Sequence, residues 1–267
     1  MKRALQQFRF QLSAKNNPIF LGFYRFLYRP KSGSLSEFLS DYSASRKGDF
    51  FVIQVGANDG ITHDPIHKFI KRDKWSGILL EPQPVVYRNY LSKLHARSPE
   101  VETMCAAIGP EDGTMTLYRI SFTEMRWATG LASFNRAQVE KAFSSGLVEK
   151  RCAKFGIEMP QDPESWIAAE KVQVISPQTL FSQHQVRRFD LLQIDTEGYD
   201  FEIIRLFDEL ETKPKVIVFE HTHLTNEDQH ACDELLRENQ YAFRKFNSNT
   251  VAMQQPLEDF APYFERD

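Results

Sequence analysis

The chain is poor in cysteine: it holds three, and none of Cys105, Cys152 and Cys232 stands in a C-x-x-C pair. Three thiols cannot all be bridged, which argues against a disulfide-stapled scaffold and suits a reducing cytoplasm. Cys232, within a predicted helix, reads as a small core residue. Long apolar runs are also missing, so no transmembrane span is expected, and Lys2 and Arg3 are not followed by the apolar stretch of a secretory leader. Strong net charge is absent: 33 basic against 36 acidic residues leave −3, which gives no global reason to expect nucleic acid as a partner. No H-E-x-x-H or Cys/His ligand spacing occurs, so a metal centre is not the favoured expectation. With 267 residues, 42% of them hydrophobic, the chain can build one sizeable core with appendages.

Acids are missing locally as well. Residues 1–31 contain no Asp or Glu, yet carry Lys2, Arg3, Arg9, Lys15, Arg25, Arg29 and Lys31 interleaved with Phe8, Phe10, Phe20, Phe23, Tyr24, Phe26 and Tyr28. Such a segment either docks on a membrane surface or partner, or packs its aromatics on the main domain or a second subunit. Arg25 interrupts the only apolar patch long enough to insert, so packing is the expectation, homo-oligomer formation being one form of it. Residues 1–48 are read as a basic, aromatic helical extension and 49–267 as the main domain.

From there the chain alternates apolar runs with helical patterns, which implies a mostly parallel sheet covered on both faces. Strands are predicted at 51–55, 77–80, 101–107, 190–194 and 215–220, with an extra strand over 114–120. A hairpin closes the chain, Tyr241–Phe246 returning through Asn247-Ser-Asn249 into Thr250–Met253. Helices should start at Asp64-Pro65, at Ser176-Pro177 and at Thr225, where Asp228 stands in for the Glu of a capping box. The polar stretch 121–170, with modest helical patterning around Val139 and Phe143, reads as an inserted lid or substrate platform.

The run Phe51-Phe-Val-Ile-Gln-Val-Gly-Ala-Asn-Asp-Gly60 is a buried strand breaking into a turn, a place where bare backbone N–H groups can meet a ligand. The dinucleotide fingerprint needs a third glycine that this turn lacks, which argues against an NAD-dependent oxidoreductase. Glu81, after the second strand, stands where an acid would grip ribose hydroxyls.

Val55-Gly-Ala-Asn-Asp-Gly60, Leu80-Glu-Pro82, Cys105-Ala-Ala-Ile-Gly109, Leu192-Gln-Ile-Asp-Thr-Glu-Gly198 and Val218-Phe-Glu220 together resemble the FkbM family of class I S-adenosylmethionine-dependent methyltransferases. The resemblance covers roughly residues 50–254 and is most specific in Ile194-Asp-Thr-Glu-Gly-Tyr-Asp200. It implies a doubly wound, Rossmann-like α/β fold with a mostly parallel seven-stranded sheet, S-adenosylmethionine as cosubstrate, and O-methylation of sugars or small metabolites. It further implies that Gly56, Ala57, Asn58, Asp59 and Gly60 wrap the methionine part, that Glu81 and Pro82 meet the ribose, and that Cys105, Ala106 and Ala107 flank adenine. Gln54 departs from the acid usual in the first strand; an amide can order the turn but cannot offer a full charge to an ammonium, which shifts that duty to Asp59 or Asp195. That departure leaves a catalytically silent cofactor-binding or scaffold protein as the rival.

Methyl transfer to a hydroxyl needs a base and a pocket that shields the reaction from water. Ligands in open parallel sheets sit outside the carboxyl ends of the strands, which singles out Asp195, Glu197, Glu220, His221 and, behind them, His223. Asp195 and Glu197 stand two apart, as do the histidines, so each pair shares a direction if the strand continues. The same groups could instead hold a divalent cation, the less favoured version. His63 and His67 read as a solvated helix face rather than a ligand pair, and Trp127 and Trp166 as lid packing rather than sugar platforms.

Overall fold

The computed structural model describes residues 2–46 and 48–265, with side chains from Leu5 onward; the charges of Lys2 and Arg3 lie outside the described side chains. Five short apolar runs form the parallel heart of a sheet: β1 (Phe51–Val55), β2 (Ser76–Leu80), β3 (Val101–Met104), and later β7 (Leu191–Ile194) and β8 (Val216–Glu220). The chain ends in the expected hairpin, β9 (Tyr241–Phe246) and β10 (Asn249–Gln254), with β10 antiparallel to β8. The seven strands lie in the order β3-β2-β1-β7-β8-β10-β9.

Burial on both faces explains why these strands read as mainly apolar runs rather than as alternating ones, with Gln54 and Gln193 the buried exceptions in β1 and β7. Successive side chains alternate between two cores. Ile53, Val55, Ile78, Leu80, Leu192, Ile194, Ile217 and Phe219 face one side, where helices Asp200–Asp208 and Asn226–Glu238 supply Ile203, Ile204, Phe207, Cys232 and Leu236. Val52, Leu79, Leu191, Val216 and Val218 face the other, against Phe38, Leu39 and Tyr42 of helix Leu35–Ser45 and Phe69 and Ile70 of helix His67–Asp73. Helix Leu35–Ser45, read as part of the extension, therefore belongs to the main core.

Two expected helix starts match local chemistry: the Ser176 and Thr225 side chains accept from the Thr179 and Asp228 N–H groups. The third differs. The helix starts at His67, and Asp64 acts one turn earlier, its Oδ1 accepting the Ile66 and His67 N–H groups at 2.7 and 2.9 Å.

The predicted strand 101–107 divides. After Met104 the chain leaves the main sheet, and β4 (Ala107–Ile108) joins a second sheet with β5 (Gly113–Ile120) and β6 (Ile167–Ile175), in the order β4-β6-β5. β6 begins inside the stretch read as insertion. Its first half, Ile167-Ala-Ala-Glu-Lys, is held by an antiparallel ladder to β5 from Ile120↔Ile167 to Gly113↔Val174, a pairing that its own sequence pattern does not announce. Helices Arg126–Thr129, Arg136–Ser144 and Leu147–Phe155 complete this layer around Val139, Phe143, Val148 and Cys152.

Candidate functional site

The strand order reverses direction between β1 and β7, and the carboxyl ends of these strands open into a cavity of about 850 Å³. At the end of β1, Gly56 adopts φ +80°, and a Cβ there would lie 1.9 Å from the Asp195 carbonyl oxygen. Only glycine lets the two strand ends meet.

Most of the turn's N–H groups are already occupied. Gly56 and Ala57 both donate to the Leu80 carbonyl at 3.1 and 2.8 Å, Gly60 donates to Ala57, and the Asn58 N–H donates to Glu81 Oε2 at 2.8 Å. Pairing with β2 consumes the donors that the sequence seemed to leave free, so the ligand-facing chemistry comes from side chains. Glu81 also accepts the Gln83 N–H at 2.9 Å, and burial pushes its pKa up to about 7 despite these bonds.

Asp59 and Gly60 face away from the cavity. Asp59 accepts from the Ile61 and Thr62 N–H groups and pairs with Arg126. Burial alone would raise its pKa, but Arg126 and these hydrogen bonds hold it below the usual carboxylate range. A Cβ on Gly60 would meet Leu94 and Leu91 at 2.8 and 2.9 Å. Asp59 is thus spent on the turn and the Arg126 contact, and the acid that stands beside Gln54 is Asp64. Its Oδ2 accepts from Gln54 Nε2 at 3.2 Å, and burial raises its pKa to about 6. Sequence reading assigned Asp64 to a helix cap and missed this second role.

Among the described residues, three buried acceptors on the cavity wall have no partner: Gln54 Oε1, Asn58 Oδ1 and Gln193 Oε1. Unpaired buried acceptors are costly unless a ligand supplies donors. Pro82, Ala106 and Ala107 line the cavity too, whereas Cys105 does not, its Sγ lying 3.9 Å from the Pro82 carbonyl.

Across the cavity stand Asp195, Glu197, Glu220 and His223. Asp200, fully buried, orders them: it accepts from the Thr196 N–H and hydroxyl at 3.2 and 2.9 Å and from the Glu220 N–H at 3.3 Å. Glu197 sits in the left-handed region, φ +53°, which ends the extended geometry that would have aligned it with Asp195. His223 Nδ1 lies 3.6 Å from Glu197 Oε2 and its Nε2 3.7 Å from Glu220 Oε2. The histidines exchange their expected roles: His221 turns from the cavity to place Nδ1 3.0 Å from Thr250 Oγ1. Enclosure by protein, then Asp200 and Glu220, pushes Asp195 up to about 8 although solvent in the cavity reaches it. Burial, then Asp195 and Glu220, pushes Glu197 up to about 9.

The 121–170 segment closes over this arrangement and is tied to both halves. Arg126 Nη2 donates to the Thr62 carbonyl at 3.1 Å beside its pair with Asp59. Ser133 Oγ donates to the Glu197 carbonyl at 3.1 Å, and Gln138 Nε2 to the His223 carbonyl at 3.3 Å. Trp166 stacks on Phe143 with centroids 5.0 Å apart and donates to Pro160, a packing role. Trp127 instead lines the cavity. His67, expected on a solvated face, is buried with Nε2 3.0 Å from Ser13 Oγ, and His63 lies outside the helix with φ +61°.

The family model described as the methyltransferase FkbM domain matches residues 54–244. No curated protein matches the chain. Among solved structures, methyltransferase FkbM from Methylobacillus flagellatus KT is 10% identical with a TM-score of 0.44, over 92% of this chain and 58% of that one. The chain thus spans less than two thirds of that relative's length. Precorrin-6y C5,15-methyltransferase from Geobacter metallireducens GS-15 is 14% identical with a TM-score of 0.36, over 85% of this chain and 94% of that one. The family match takes in the β1 turn, Glu81 and the acid cluster, and it spans well over half of the sequence: the chain belongs to the FkbM methyltransferase family.

Proposed function

We propose that the protein transfers a methyl group from S-adenosylmethionine to a hydroxyl of a sugar or small metabolite. The observation carrying this reading is that one cavity joins the unpartnered acceptors of Gln54 and Asn58 on the β1 side and of Gln193 on β7 to a cluster of proton acceptors beyond the ends of β7 and β8. The first half fits the cosubstrate: Gln54 Oε1, Asn58 Oδ1 and Gln193 Oε1, with Asp64 and Asp195 beside them, suit a donor-rich ammonium. Glu81 suits ribose hydroxyls, and Pro82, Ala106 and Ala107 offer the small apolar wall that an adenine ring needs. The bound sulfonium would supply the electrophilic methyl group.

The chain's own residues then do the rest. The 121–170 segment excludes water, and Glu197 in its ionised form, with His223 and Glu220 beside it, receives the proton that the acceptor hydroxyl gives up. A carboxylate with a raised pKa is the stronger base once ionised. A second reading has its own observation: ligand atoms of Glu197, Glu220 and His223 lie within 4.8 Å of one another, so a divalent cation held there could activate the hydroxyl instead.

Calorimetry with S-adenosylhomocysteine tests the cosubstrate, and a folded protein that binds NAD but not S-adenosylhomocysteine overturns the reading. Methyl transfer to hydroxyl-bearing acceptors, assayed with and without a chelator, separates base from metal catalysis. Binding of S-adenosylhomocysteine without transfer to any such acceptor would instead favour the silent cofactor-binding rival.

A further inference from the structure

We propose that the N-terminal extension is an interfacial anchor that docks the protein on an anionic lipid surface. The expectation was that its aromatics pack on the domain, and only some do. Phe10 meets Tyr90 edge-on at 5.8 Å, Ser13 bonds His67, and Tyr24 is buried against Phe20 and His67. Leu5, Phe8, Ile19, Phe23, Phe26 and Leu27 are left 50–85% exposed, a concentration of large apolar side chains unlike the rest of the described surface.

Their spacing is ordered. On helix Lys2–Ala14, positions 5, 8 and 12 share one stripe, which Arg9 and Lys15 flank, while Phe10 and Ser13 share the neighbouring stripe that packs on the domain. Ile19, Phe23, Phe26 and Leu27 follow at i, i+4, i+7 and i+8 over the next two turns. No described helix is long and apolar enough to cross a membrane, so the fit is to the headgroup boundary rather than to a span.

Charge selects the occupant. Residues 1–31 hold no acid, so a second copy laid symmetrically on this face would set cations against cations. An anionic bilayer meets the apolar stripe with acyl chains and Arg9, Lys15, Arg29 and Lys31 with headgroups. Gln6, on the same helix, lines the cavity, so docking fixes the cavity relative to the lipid surface.

The test is flotation of the full chain with vesicles of phosphatidylcholine alone or mixed with phosphatidylserine, alongside light scattering without lipid. Binding is expected only with phosphatidylserine, weakening as salt rises. The double variant Phe23→Ser/Phe26→Ser should lose binding by about tenfold or more with an unchanged thermal melt, since both side chains are exposed. Absence of binding to the mixed vesicles overturns the proposal. So does a dimer in solution that the double variant dissociates while vesicle binding stays negligible, because a second copy then covers the face.

Discussion

The Gly56 α-carbon faces the Asp195 carbonyl so closely that a single added methyl group would stand 1.9 Å from that oxygen. The turn after β1 and the acid cluster are therefore one mechanical unit, also joined by the Asp195 N–H donating to Val55 at 3.0 Å. Gly56→Ala should lower stability by more than the roughly 1–3 kcal/mol of a strained left-handed residue, since backbone must also move. Thermal melting and S-adenosylhomocysteine calorimetry should both register the loss. A variant with unchanged melt and affinity would show that the two ends need not touch.

Glu81→Ala removes the acceptor of the Asn58 N–H as well as the proposed ribose partner. Loss of a charge-assisted bond is worth about 1.5–3 kcal/mol, so S-adenosylhomocysteine affinity should fall roughly tenfold to a hundredfold. Because Glu81 is raised to about 7 and hydroxyls donate best to an ionised carboxylate, wild-type affinity should also weaken on going from pH 8 to pH 6. Affinity independent of both changes would remove Glu81 from the site.

The acid cluster makes the unliganded protein's stability depend on pH in a distinctive sense. Asp64 and Asp200 are raised to about 6, Glu81 to about 7, Asp195 to about 8 and Glu197 to about 9. A carboxyl with a raised folded-state pKa keeps a proton that the unfolded chain has released. Its contribution is fully present below the unfolded value and is lost as pH rises through the folded one. Buried His67, His95 and Lys71, whose pKa values are lowered, contribute in the opposite sense, the histidines below about pH 6.5 and Lys71 above about pH 8, so the net fall in melting temperature should lie between about pH 6 and about pH 8, and Glu197→Gln should make it shallower. A melting temperature that climbs across this interval would contradict the burial argument.

Arg126 ties the 121–170 segment to the turn through Asp59 and Thr62. Arg126→Ala should free the segment, seen as faster proteolytic cutting within 121–170, and should reduce turnover more than cofactor affinity. Cutting rates equal to wild type would mean that the Ser133 and Gln138 contacts, with Gln83 Nε2 donating to the Thr129 carbonyl at 2.9 Å, hold the segment unaided.

Removing a general base slows turnover by roughly a hundredfold to ten-thousandfold, which is the expectation for Glu197→Gln and, if the histidine relays the proton, for His223→Ala. His221→Ala should have little effect, because Thr250 holds that ring away from the cavity. The reverse ranking of the two histidines would refute the assignment.

Much of this molecule follows from local pattern. The mainly apolar runs of β1, β2, β7 and β8, the closing hairpin, and the Ser176 and Thr225 caps are encoded within a few residues of where they occur. Other features depend on contacts between distant segments. Whether an N–H after β1 is free depends on Leu80, and which acid stands beside Gln54 depends on the path of the chain to Asp64. β6 exists because β5 pairs with it, although its own first half is weakly patterned. The two histidines after β8 would share a direction only if the strand continued, and it ends at Glu220, so the turn that follows sends His223 to the acids and His221 to Thr250. Periodicity and capping are local properties of the chain and can be read along it. Side-chain aim beyond a strand end, and the partners of backbone groups in turns, are set by long-range pairing and are decided only when the sheet assembles.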